Sequence, residues 1–121
     1  MPLKISGKVV NGAGRGNAIG FRTANIIIYN RKLKGVYAVF VLVNGRKYGG
    51  VANIGYAPTF SRKKKMLEVH IFNFSRNIMG SKIVVELVKK LRNEKKFSNV
   101  SELTSQIKKD VKKAENILGK L

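Results

Sequence analysis

Apolar and polar residues alternate over much of the first 90 positions, with the period of two that is typical of β-strands. Runs of this kind, bounded by glycine, proline and asparagine, predict six strands. They cover residues 4–10, 26–29, 36–43, 46–53, 67–74 and 82–88. Asn44-Gly45 separates the third and fourth runs and predicts a type I′ hairpin, because both central residues of that turn need positive φ. Short strands at regular spacing favour a closed β-barrel.

The pattern changes to a helical period after residue 97 and predicts one helix over about residues 99–119. Ser98 or Asn99 supplies the N-cap, and Asn99 with Glu102 has the spacing of a capping box. Asp110 lies inside the apolar stripe, which favours a cationic partner over direct chemistry. The stripe consists of Val100, Leu103, Ile107, Val111, Ala114, Leu118 and Leu121, while Lys108, Lys109, Lys112 and Lys113 project away from it.

The fifth predicted strand contains the first acidic side chain of the sequence, Glu68, after thirteen Lys and Arg residues. Period-two geometry predicts one face with Glu68, His70, Phe72 and Phe74, and another with Leu67, Val69 and Ile71. A carboxylate desolvated there would have a raised pKa, which suits a general base near neutral pH. The structural interpretation is an ion pair with one of the many cations, and this stretch alone favours it over the catalytic one. His70 could orient Glu68, but a structural histidine is the favoured interpretation. Phe72 and Phe74 could stack on a ligand, but aromatic residues in strands usually belong to the core.

The composition predicts one domain over residues 1–121, since 44% of the 121 residues are hydrophobic. No apolar run reaches the ~20 residues of a membrane span, and the first 20 residues lack the apolar stretch of a signal peptide. We therefore expect a cytoplasmic protein without membrane association. The absence of cysteine and the single histidine exclude the usual zinc sites, so any metal would be a hard, oxygen-binding ion.

A formal charge of +19, from 25 basic and 6 acidic residues, calls for an anionic partner or a generally basic surface. The cations are dispersed, without an aromatic-interleaved platform, so we expect only weak, non-specific binding of nucleic acid. A negatively charged small substrate such as a nucleoside triphosphate is another possibility. A non-catalytic basic barrel that binds RNA or DNA remains the alternative function.

A glycine-rich stretch over residues 12–20 offers backbone N–H groups to an anion, although its spacing matches neither a P-loop nor a dinucleotide fingerprint. Taken alone, a flexible barrel rim explains it equally well. Thr23 and Asn25 follow it, two residues apart, and are hard oxygen donors suited to Mg²⁺ beside phosphates.

Six blocks in order closely resemble the riboflavin kinase family. The family pattern is a glycine-rich stretch running into Gly-Phe-Pro-Thr-Ala-Asn, then Gly-Val-Tyr, Asn-Ile-Gly-x-x-Pro-Thr-Phe, Glu-Val-His, and Leu-Arg followed by Lys-Phe and a helix. In this chain the blocks after the glycines are residues 20–25, 35–37, 53–60, 68–70, 91–92 and 96–97. One departure is Arg22, which replaces the proline and so removes a residue that fixes φ.

The resemblance implies a mainly β, six-stranded Greek-key barrel over about residues 4–90 with the C-terminal α-helix. It also implies an enzyme that converts riboflavin and ATP to FMN and ADP with Mg²⁺, and we expect the protein to be a monomer. FAD synthesis is not expected, since the adenylyltransferase domain and the histidines of its nucleotide motif are absent from these residues. By position, Glu68 would be the catalytic base, and Thr23 and Asn25 would bind Mg²⁺ and phosphate. Gly14, Arg15, Gly16 and Gly20 would bind the nucleotide, and Arg92 and Phe97 would border the flavin.

Overall fold

The computed structural model describes residues 3–10, 22–29, 32–56 and 65–120. Six strands and one helix lie within these ranges, as the sequence predicts. The strands are β1 (Leu3–Lys8), β2 (Arg22–Ile28), β3 (Gly35–Val43), β4 (Arg46–Tyr56), β5 (Lys65–Ile71) and β6 (Lys82–Arg92), and the helix is α1 (Val100–Leu118).

The strands form one antiparallel sheet in the order β1-β6-β3-β4-β5-β2. Strands β3, β4 and β5 follow one another as neighbours, and β6 returns to lie beside β3, which is the Greek-key arrangement. The sheet curls so that its two edges approach each other. Beyond β1, the backbone N of Val10 donates a 2.8 Å hydrogen bond to the carbonyl of Asn25 in β2. The predicted Greek-key, barrel-like fold with a C-terminal helix is confirmed.

The hairpin between β3 and β4 has the predicted turn. Asn44 and Gly45 have φ angles of 49° and 80°, so both central residues are left-handed, as a type I′ turn requires. Val43 and Arg46 are the first pair of the ladder, and the register continues without a bulge to Gly35 and Ile54.

The sheet has two apolar faces. The inner face holds the main core, where Leu67, Val69 and Ile71 of β5 are buried as predicted. The outer face holds a smaller cluster in which Val36 and Val51 belong with Ala114 and Leu118 of α1. Complete burial of one such Val, Leu or Ile side chain contributes about 1.5–3 kcal/mol, so the outer cluster fixes the helix across β3, β4 and β6.

The predicted common face of Phe72 and Phe74 is wrong. Strand β5 ends at Ile71, and Asn73 adopts a φ of 55°, which interrupts the period-two alternation. Phe74 is consequently 8% exposed in the inner core, with its ring edge-on to Tyr48 at 5.0 Å. Phe72 packs with the outer cluster instead.

The helix begins as predicted at Asn99, whose Oδ1 accepts a 2.9 Å hydrogen bond from the backbone N of Glu102. The Glu102 carboxylate in turn accepts from the backbone N of Ser98. Val100 does not belong to the buried stripe, because it is 68% exposed; Leu103 is half-buried, and the first buried residue of the helix is Ile107. Leu121 lies outside the described residues.

A basic run such as residues 62–65 is ordinarily a solvated loop, but Lys65 at its end is buried in a strand. It opens β5 between Ile28 and Tyr56 of the neighbouring strands and is 6% exposed. Its Nζ donates a 2.6 Å hydrogen bond to the carbonyl of Leu33, which satisfies the buried ammonium group. The other three residues of the run lie outside the described ranges.

Candidate active site

Strand β2 begins at Arg22, four residues earlier than predicted, so Thr23 and Asn25 belong to the sheet. Antiparallel pairing places Thr23 opposite His70 and Asn25 opposite Glu68. Directly opposite residues point to the same side of a sheet, with their Cβ atoms about 4.5–5.5 Å apart. Two predicted metal donors and the predicted base therefore share one face, the face that α1 covers farther along.

Further strands extend this row of side chains. Asn53 of β4 lies opposite Glu68 on its other side, so the carboxylate stands between two amide side chains. Val36 of β3 lies opposite Asn53 and also opposite Arg92 of β6. Because β6 continues four residues beyond its predicted end, Arg92 is the last strand residue and faces the helix.

A small pocket of about 60 Å³ lies between this row and the helix. Four apolar side chains from β3, β4 and α1 form part of its wall. Its other lining residues are Asn53, Glu68, His70, Arg92, Phe97 and Asp110. The fold thus brings the predicted base together with both residues that the resemblance assigns to the flavin site.

Arg92 forms an ion pair with Asp110 and is the cationic partner expected for this helical carboxylate. The guanidinium donates from Nε to both carboxylate oxygens, at 3.0 and 3.1 Å, and from Nη2 to Oδ2 at 2.8 Å. Gln106 adds a 3.1 Å bond from Nε2 to Oδ1. Asp110 is 4% exposed, so the pair connects the helix to the end of β6 and commits this carboxylate to structure.

His70 is buried behind Glu68. Its side chain is 6% exposed, against 23% for Glu68, and its Nε2 lies 3.9 Å from Oε1 of that residue. Burial lowers the pKa of His70 from 6.5 to about 4, and the negative charge of Asp110 opposes this shift without overcoming it. The imidazole is therefore neutral at physiological pH.

Phe97 separates the pocket from an open groove along the first turns of α1. It is the half-buried residue in an otherwise exposed segment over residues 93–99. The Arg92 guanidinium carbon and the Lys95 Nζ lie 5.9 and 6.0 Å from the centre of its ring. The ring borders both the pocket and the groove, and the groove is otherwise polar, with Ser101, Ser105 and Lys109 in its wall.

A family model described as flavokinase, riboflavin kinase, matches residues 1–118. The chain belongs to the riboflavin kinase family. Its sequence is similar to part of longer bacterial proteins named bifunctional riboflavin kinase/FMN adenylyltransferase. The Bacillus subtilis protein is 44% identical over 119 residues, and the Haemophilus influenzae protein is 46% identical over 117 residues. These matches cover 93% and 94% of this chain but 38% of each relative, so the chain spans about two fifths of their length.

Two solved structures resemble the riboflavin kinase fold of this chain. A Streptococcus pneumoniae protein titled a macrolide-efflux protein superposes with a TM-score of 0.82 at 35% identity, over 95% of this chain and 39% of that one. The riboflavin kinase of Trypanosoma brucei superposes with a TM-score of 0.68 at 24% identity, over 98% of this chain and 81% of that one. At that identity the second likeness supports the fold alone.

The predicted nucleotide site also includes residues of the glycine-rich stretch. Gly14, Arg15, Gly16 and Gly20 lie outside the described residues, and their assignment to the nucleotide stays a prediction. Within the described ranges no helix combines the length and the hydropathy that crossing a bilayer requires.

Asn53 is the site residue that sequence reasoning missed. It stands in the Asn-Ile-Gly block, and the hairpin register counted from Asn44-Gly45 already places it opposite Val36. Its position beside Glu68 depends on the pairing of β4 with β5. No pattern in the sequence between the two strands fixes this register.

Proposed function

We propose that this domain transfers the γ-phosphoryl group of ATP to the 5′-hydroxyl of riboflavin, giving FMN and ADP. Membership of the riboflavin kinase family sets the reaction class. The observation that carries the proposal is the juxtaposition of a carboxylate, Glu68, with the hard oxygen donor Asn25 in directly paired positions of β5 and β2. A kinase that acts on a hydroxyl group needs such a base beside the nucleotide phosphates.

The environments of the other acidic residues support Glu68 as the base. All six acidic residues of the sequence lie in the described ranges. Asp110 is held by Arg92, and Glu102 caps the helix. Glu115 is exposed on α1. Glu86 stands opposite Lys4 and Phe40, towards the other edge of the sheet.

Glu94 is the nearest rival to Glu68 as the base. Its carboxylate lies so close to Gly55 of β4 that a Cβ there would overlap it. Gly55 is two residues from Asn53 on the same face, so Glu94 stands at the rim of the row that contains Glu68. Glu94 is exposed, whereas Glu68 is half-buried and lines the pocket, so Glu68 is the better placed of the two carboxylates.

Thr23 and Asn25 fit Mg²⁺ by their chemistry. The Thr23 hydroxyl and the Asn25 amide oxygen lie two residues apart on β2, on the same face as Glu68, and Asn25 is 7% exposed. Within the described ranges no three His, Cys, Asp or Glu side chains come together to hold a metal. Mg²⁺ in phosphoryl-transfer sites takes few protein ligands, and substrate phosphates and water complete its coordination. Bound there, Mg²⁺ would neutralise phosphate charge as the phosphoryl group moves.

The transfer itself needs little covalent chemistry from the protein. Glu68 accepts the proton of the 5′-hydroxyl as its oxygen attacks the γ-phosphorus in line. The new P–O bond forms while the bond to the β,γ-bridging oxygen breaks, and ADP leaves with that electron pair. Orientation and charge neutralisation supply most of the rate enhancement.

The flavin would lie where Phe97 meets the pocket. A volume of about 60 Å³ is far below the ~300–1,000 Å³ of typical ligand pockets, so riboflavin cannot enter the closed pocket. Displacement of Phe97 would join the pocket to the groove along α1. The isoalloxazine ring would then lie against apolar side chains and its ribityl chain would reach Glu68.

The test is formation of FMN from riboflavin, ATP and Mg²⁺, followed by chromatography. Loss of a general base typically costs ~10² to 10⁴ in rate, so Glu68→Gln should lower kcat by that factor with little change in substrate binding. Glu86→Gln and Glu94→Gln are the matched controls and should keep activity. Absence of FMN with the unaltered protein would overturn the function, and normal kcat in Glu68→Gln would overturn the base assignment.

A further inference from the structure

His70 is a buried titratable residue that the proposed transfer does not use. It is the single histidine of the sequence, and its Nε2 faces the Glu68 carboxylate at 3.9 Å. Its direct neighbours across the ladder, Thr23 on β2 and Val51 on β4, are uncharged. The charged groups that share the pocket with it are Glu68 on its own strand, Arg92 on β6 and Asp110 on α1.

The proton on the imidazole can be assigned to one nitrogen by elementary chemistry. A neutral imidazole carries one N–H donor and one bare acceptor nitrogen, whereas an ionised carboxylate can only accept. A bare Nε2 facing Glu68 would place its lone pair against a carboxylate oxygen in a poorly solvated place, and the two atoms would repel each other. Nε2–H facing it is attractive, and the opposite end of the ring is then an acceptor.

We propose that His70 is a positioning residue for Glu68, with Nε2–H directed at the carboxylate so that the free oxygen of Glu68 faces the substrate hydroxyl. This proposal rests on the assignment of Glu68 as the base. At 3.9 Å the contact exceeds hydrogen-bond length, so in this structure it acts as an attraction between charge and dipole. Catalytic hydrogen bonds are commonly long without substrate and shorten in the complex.

The neutral form of the imidazole suits this role. A neutral donor fixes the direction of the carboxylate while weakening its basicity less than a full positive charge would.

The first experiment needs no turnover. Nitrogen-15 NMR of the unaltered protein near pH 7 reports the two ring nitrogens of a single histidine without assignment ambiguity. The proposal expects Nε2 to carry the proton, and Glu68→Gln to change the Nε2 chemical shift more than that of Nδ1. A proton on Nδ1, or shifts that do not respond to Glu68→Gln, would overturn it.

The second experiment is a double-mutant cycle on kcat with Glu68→Gln. Small displacements of a catalytic group can cost up to ~10²-fold in rate, so His70→Leu should lower kcat by up to that factor. His70→Gln keeps a donor at the same reach and should recover most of the loss, although Leu is the better residue for burial. In the Glu68→Gln background, His70→Leu should cause little further loss, because the group that it positions is gone.

The outcomes separate this proposal from the function on which it rests. An equal loss from His70→Leu in both backgrounds, or better activity with Leu than with Gln, would mean a merely structural histidine and would overturn the proposal. Failure of Glu68→Gln to lower kcat removes the base assignment, and with it this role of His70. The NMR result shows separately whether the predicted proton on Nε2 exists.

Discussion

Acidification should destabilise this protein through His70. The folded state keeps the imidazole neutral down to a pKa of about 4, whereas an unfolded chain returns it to 6.5. Between these values the unfolded state binds the extra proton, so the free energy of unfolding decreases as the pH falls. The contribution is complete above pH 6.5, is lost progressively toward pH 4, and changes no further below that.

The pKa values set the size of the effect. At about 1.4 kcal/mol per pH unit, the gap between 6.5 and about 4 corresponds to about 3 kcal/mol for full titration. About 2 kcal/mol of that should already be lost at pH 5, where the ring is mostly neutral in the folded state and mostly charged in the unfolded state. Since domains of this kind are stable by roughly 5–15 kcal/mol, the loss is readily measured.

The loss of stability on acidification can be measured by urea denaturation at intervals between pH 7 and pH 4.5, because the midpoint and slope give the free energy of unfolding at each pH. His70→Leu is the reference, since it retains every carboxylate that titrates in the same range. From pH 7 to pH 5 the free energy of unfolding of the unaltered protein should fall by about 2 kcal/mol more than that of His70→Leu. Parallel stability curves, or a His70 NMR titration with a midpoint near 6.5, would refute the reasoning.

Three further outcomes follow from the structure. Arg92→Met leaves the Asp110 carboxylate buried without its cation and should lower the free energy of unfolding, measured in urea, by about 3–5 kcal/mol. Adding Asp110→Leu should restore part of that loss. Equal stability of Arg92→Met and the unaltered protein would contradict the buried pair. Thr23→Val and Asn25→Leu should each raise the Mg·ATP concentration needed for turnover without unfolding the domain, and unchanged nucleotide and Mg²⁺ dependence would remove them from the metal site. Nucleic acid should bind weakly and without sequence preference, so a tight complex with one RNA or DNA sequence at ~200 mM salt would favour the basic-barrel alternative.

Local patterns in the sequence determined much of the fold. Alternation located all six strands, and Asn44-Gly45 specified a hairpin whose register follows from its turn. The cap at Asn99 was also predictable, since it depends on groups within one helical turn, and the apolar stripe around Asp110 indicated its need for a cation without identifying Arg92. Local signals failed where a neighbouring strand decided the outcome. Strand β6 continues to Arg92 because β3 pairs with it that far, and Lys65 is buried because two strands flank it.

The candidate site depended on tertiary structure in a different way. Motifs identified Glu68, Thr23 and Asn25, but their meeting on one face depends on the register of β2 against β5, two strands separated by more than 35 residues. Asn53 and the Arg92–Asp110 pair also reach this site through contacts between residues that are far apart in the sequence. A period of two makes each face unambiguous once the register is known, whereas a slip of one residue would turn every side chain of a strand to the other face. Burial of the inner core selects the register, and burial is a property of the assembled sheet and not of any one segment.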